Sequence, residues 1–155
     1  MINKNLWTKT LLGLVICLFL STLLAFTFGT TMINENPELD TDSTTLAMTM
    51  LLIPFTFLQL GIWTGCAAWL FGGFIGGAII ENYKSVFIIS IISLIFFYSI
   101  GFPLAGPFAF NYLTVIDITT FIPNLITMFI MTLFGSLIGA WVSIRRLKTK
   151  NVTNK

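Results

Sequence analysis

Few side chains in this sequence can do chemistry, and they stand far apart. Cys17 and Cys66 are its two thiols, and there is no histidine in 155 residues. The chain therefore lacks the commonest general base and the commonest metal and haem ligand. Two isolated thiols within apolar runs suit packing better than nucleophilic or metal chemistry, and they are too few for a disulfide framework. The cluster Gly72, Gly73, Gly76 and Gly77 lies inside an apolar helical stretch rather than after a strand, so it is not a phosphate loop. No catalytic residue, metal ligand or cofactor is expected.

The polar groups set among apolar neighbours are Thr56, Gln59, Thr64, Tyr98, Ser99 and Asn124. Gln59 is the costliest to leave unpaired, because both ends of its amide need partners in hydrocarbon. Gln59 and Asn124 either bond between helices, worth roughly 1 kcal/mol each, or line a polar cavity. Asp117 is expected to stay ionised near the start of the last helix, where the positive end of the helix dipole favours it.

The elements that must position these groups follow from composition. The chain is 56% hydrophobic and 9% charged, with a mean hydropathy of +0.94. A soluble domain carries about 25% charged residues, so this composition reads as an all-α membrane protein. A span needs about 20 mostly apolar residues, and four stretches qualify: residues 10–28, 46–80, 85–101 and 123–144. The second holds Pro54 near its start and is long enough to tilt or emerge from the bilayer. Pro123 suits the first turn of the fourth. Lys4 and Lys9 before the first run raise the alternative of a signal peptide, but Ala25-Phe26-Thr27-Phe28 lacks small-x-small spacing and an uncleaved span is expected.

Charge sets the orientation. All eight basic residues fall before the first span (Lys4, Lys9), between the second and third (Lys84), or after the fourth (Arg145, Arg146, Lys148, Lys150, Lys155). With Glu81 these segments carry +7, whereas residues 29–45 and 102–122 carry −5 through Glu35, Glu38, Asp40, Asp42 and Asp117. Basic residues stay on the cytoplasmic side, so a multi-pass protein of the cell membrane with both termini in the cytoplasm is expected. Trp7 and Trp141 then share the inner interface. The tail's Arg145, Arg146, Lys148 and Lys150 would contact anionic lipid; no aromatics interleave with them, so nucleic acid is not an expected partner. The sequon at Asn151 falls on the cytoplasmic side and is discounted. Residues 102–122 are too apolar for a free loop, and should lie in the interface, re-enter the bilayer or be covered by another protein.

Residues 70–77 can be laid on residues 133–140, sharing Leu, Phe, Gly, Ile and Gly at matching places. This suggests two hairpins related by an axis along the membrane normal. Close approach at small residues drives helix association in lipid. Gly61, Gly65, Ala68, Gly72 and Gly76 form such a stripe, Gly73 and Gly77 a second row about 100° away, and Gly135 and Gly139 a third on the fourth span. These faces are expected either to pack the bundle or to dock a partner. No ionisable group lies within a span, which argues against ion-coupled transport. The expectation is a non-catalytic accessory subunit of a larger membrane complex, joined to other subunits or to itself. The alternative is a homo-oligomeric channel or small-solute carrier.

Overall fold

The structure, a computed structural model, describes residues 4–35, 42–80, 82–101 and 118–153. Among the described residues there is no strand, and the helices are α1 (Lys4–Glu35), α2 (Ser43–Leu52), α3 (Pro54–Gln59), α4 (Thr64–Ala78), α5 (Tyr83–Phe96), continued by a π-helical turn (Phe97–Gly101), and α6 (Ile118–Thr153). Among the described residues, three stretches are long and apolar enough to cross a membrane: Leu6–Glu35, Tyr83–Ile100 and Phe121–Arg146. Asp117 and most of the apolar segment 102–122 lie outside the described residues.

The stretch 46–80, expected as one span, is instead three helices. Proline has no N–H and its ring collides with the carbonyl four residues back, and it drives its predecessor out of the helical region. Ile53 accordingly leaves the helix at φ −127°, ψ 53° before Pro54 opens α3. The second interruption is a glycine cap. Gly61 adopts φ +79°, its N–H donates to the Leu58 carbonyl at 3.0 Å, and the Ile62 N–H donates to the Phe57 carbonyl at 2.9 Å. That pair of bonds is the Schellman arrangement, which wants glycine at the left-handed position. Gly61 therefore ends a helix and does not belong to the packing stripe assigned from its spacing; a Cβ there would meet nothing within 4 Å.

Contacts between helices fix the path. Gly29 of α1 lies against Ser43 and Ala47 of α2, and further along α2 Met50 packs on Gly65 of α4. Thus α2 starts beside the end of α1 and descends part of the way along it. Pro54 sits level with Gly65 and Cys66, yet the chain reaches Thr64 only ten positions later, at the start of α4. In between, α3 turns back toward the end of the bundle where α6 begins, its Thr56 bonded to Asn124. The pair α2–α3 is a helical hairpin folded into one end of the bundle, and α4 then descends between α1 and α6.

Small residues line the inside and large apolar ones the outside. On α1, Gly13, Cys17, Ser21, Ala25 and Gly29 are buried at four-residue spacing, while Leu11, Val15, Phe19, Leu23 and Phe26 are exposed. Helix α6 buries Asn124, Met128, Thr132, Ser136 and Ala140 and exposes Ile122, Ile126, Ile130, Phe134 and Ile138. The inverse of a water-soluble pattern, with hydroxyls in and isoleucines out, suits a solvent of lipid tails. Pro123 is the sixth residue of α6 rather than in its first turn, because the helix begins at Ile118.

Candidate functional site at a buried helix break

A helix stopped inside an apolar bundle leaves carbonyls that water cannot reach, and each needs another donor. At the end of α2 those donors come from two other elements. The indole Nε1–H of Trp69 on α4 donates to the Leu51 carbonyl at 3.0 Å, and the Tyr98 hydroxyl donates to the Leu52 carbonyl at 2.8 Å. Met50's carbonyl lies against Gly65, where any side chain would overlap it. The start of α3 is met from α6: the Thr56 N–H donates to Asn124 Oδ1 at 3.1 Å, and Asn124 Nδ2 donates to Thr56 Oγ1 at 3.0 Å. Both ends of the Asn124 amide are thereby used, and the residue is wholly buried.

The π turn at the end of α5 aims two successive residues at this break. A π-helical turn is wider than an α turn, so neighbours diverge less around the axis. Phe97 packs edge-on against Trp69, with ring centroids 5.0 Å apart, while Tyr98 reaches Leu52 and stacks edge-on with Phe121 of α6 at 5.5 Å. One aromatic cluster thus joins α2, α4, α5 and α6. It holds the break in place but offers no nucleophile and base within reach of one another.

The remaining residues singled out by sequence fall into two groups. Those on α4 and α6 sit at close helix crossings. A Cβ on Gly76 would lie 2.6 Å from the Gly13 carbonyl oxygen, and one on Gly72 would overlap Ser21 Oγ. A Cβ on Gly73 would lie 2.6 Å from the Thr132 carbonyl oxygen. On Gly135 it would overlap the Leu70 carbonyl, on Gly139 that of Phe74, and on Gly77 that of Ser136. The two rows of α4 therefore face two different helices, α1 and α6, and the similar stretches 70–77 and 133–140 lie against each other. Ala68 is buried, its carbonyl accepting from Ser21 Oγ at 3.1 Å. The others are peripheral. Gln59, expected to bridge helices or line a cavity, is exposed at the end of α3, because the Schellman turn places it on the bundle's rim. Arg145 lies over the Trp141 ring at 4.5 Å and Arg146 is exposed. Lys148 and Lys150 continue α6, with side chains outside the described residues.

Trp69 is the residue that sequence reading missed. Its signal was its place: unlike Trp7, Trp63 and Trp141, which are exposed toward helix ends, it stands mid-run, where an indole N–H must find an acceptor. No family model matches this chain, and neither the curated proteins nor the solved structures yield a match.

Proposed function

We propose that this chain is a four-pass membrane protein with both termini cytoplasmic, working as a non-catalytic subunit within a larger membrane assembly. In this reading α1, α4, α5 and α6 cross the bilayer, and α2–α3 enters from the extracytoplasmic side and returns to it. The observation that carries the reading is the satisfied helix break. In carriers, backbone at membrane depth is tolerated where it lines a cavity and binds substrate or ion. Here the freed groups are answered by Trp69, Tyr98 and Asn124 of the same chain, and among the described residues no Asp, Glu, Lys or Arg bonds to them. A bundle locked this way suits a scaffold better than a moving carrier, and its isoleucine- and phenylalanine-rich exterior is the surface on which another subunit would sit.

Purification in mild detergent followed by native mass spectrometry tests this. A stable foreign chain in fixed ratio is expected. A homogeneous self-assembly that supports solute flux in proteoliposomes would replace the subunit reading with the channel or carrier one. Topology is separable: a C-terminal reporter active only outside the cell would overturn the orientation without touching the fold.

A further inference from the structure

At the opposite end of the bundle from the helix break, a groove of about 230 Å³ opens between the start of α1 and the start of α5. It is lined by Leu6, Trp7, Thr10, Asn82, Lys84, Ser85 and Ile88. Asn82, Lys84 and Ser85 stand at the α5 side, and Thr10 on α1 donates its hydroxyl to the Leu6 carbonyl at 2.8 Å. Asn82 caps α5 by accepting the Lys84 N–H on Oδ1 at 3.0 Å, which turns Nδ2 away from that bond. Ser85 is only 4% exposed, yet it lines the groove and its hydroxyl bonds to none of the described residues. A hydroxyl on the wall of the groove that no described residue engages is free to donate to an acceptor entering it. Lys84 adds a mobile cation, and the α5 N-terminus adds the positive end of a helix dipole, which favours anions.

The rest of the groove is apolar. Leu6, Trp7 and Ile88 continue from the polar end along the outer surface, where free phosphate would gain nothing and an acyl chain would gain burial. Trp7 also has the amphipathic ring that favours the headgroup level. We infer that this groove binds one anionic phospholipid, its phosphate held by Ser85, Asn82 and Lys84 at the start of α5 and its chain laid over Trp7 and Ile88. The site is distinct from the basic tail after Trp141, and it needs the chain to be in a bilayer but not to have a protein partner. The other charge of the α4–α5 connection, Glu81, lies outside the described residues.

The test is native mass spectrometry of the full chain in mild detergent, titrated with phosphatidylglycerol, with phosphatidylcholine of the same chains, and with inorganic phosphate. One phosphatidylglycerol should be retained in preference to phosphatidylcholine. The double variant K84Q/S85A should weaken it about tenfold, whereas R145Q/R146Q should not. I88W, which fills the apolar part and leaves Ser85 and Lys84 in place, should also release the lipid. Thermal unfolding of each variant shows whether it is folded, and the two groove variants fail independently of one another. Equal retention of both lipids, loss on R145Q/R146Q with retention in K84Q/S85A and I88W, or saturable binding of inorganic phosphate alone would each overturn the inference.

Discussion

Trp69 shows what a single donor does in a dry interior. Phenylalanine would keep an aromatic ring near Phe97 but leave a void where the rest of the indole sits, and the Leu51 carbonyl would lose its donor. An unsatisfied buried carbonyl costs about 1–3 kcal/mol, so W69F should lower the midpoint of a thermal scan in detergent, whereas W63F, at an exposed position, should leave it unchanged. Asn124 carries two bonds to Thr56, and N124L should destabilise by a similar amount while keeping side-chain bulk. At this scale the sequence was half legible. Asn124 could be singled out because an amide in an apolar run demands partners, but Gln59 met the same criterion and lies on the rim. What separates them is the backbone turn between α3 and α4, and hydropathy does not register a turn.

The elements are held by glycines of two kinds, which substitution should tell apart. Gly77 and Gly139 allow backbone to touch backbone between α4 and α6, so a methyl group there has nowhere to go. G139V should cost about 3 kcal/mol, the upper part of the range for overpacking, because the obstacle is a carbonyl rather than a movable side chain. Gly61 has open space but a left-handed φ, so G61A should cost about 1–2 kcal/mol from conformation alone. Spacing in the sequence placed Gly61 with Gly65 and Gly72, since helical periodicity is assumed when no break is seen. Pro54 was visible, yet a continuous apolar run has the same composition whether it passes straight through or folds back.

Helix α2 begins on Asp42, whose carboxylate accepts the Thr45 N–H at 2.8 Å and the Thr45 hydroxyl at 2.7 Å. The backbone N–H and then the hydroxyl of Thr45 hold this carboxyl below its ordinary value of 3.8. A lowered carboxyl contributes stability above that ordinary value and loses it as pH falls through the lowered one. D42A should therefore melt below the parent near neutral pH, with the difference shrinking under acid conditions. From sequence Asp42 counted only as one of the acidic residues of 29–45, and its capping role appears once α2 is seen to start at Ser43.

For the whole molecule, the asymmetry of charge carries the proposed orientation. Among the described residues Lys9, Lys84, Arg145 and Arg146 lie at the opposite end of the helices from Glu35 and Asp42, the polarity that the proposed topology would need under the positive-inside rule. Adding lysines beside Asp42 should weaken that bias, and reporters fused at the C-terminus would then divide between the two sides. The first, third and fourth stretches were legible because length and apolarity suffice for a span that runs straight. The hairpin α2–α3 was not, because its identity rests on where it packs.

The seam between α4 and α6 also has a consequence in time. A chain leaves the ribosome from its N-terminus, so α1 can dock on Gly72 and Gly76 as soon as α4 emerges, but Gly73 and Gly77 stay uncovered until α6 follows. Helix α6 thus closes a pair that has already formed. A chain stopped after residue 101 would present that bare glycine row to the quality-control machinery of the membrane and should be degraded. Supplying residues 118–155 as a separate polypeptide should rescue it.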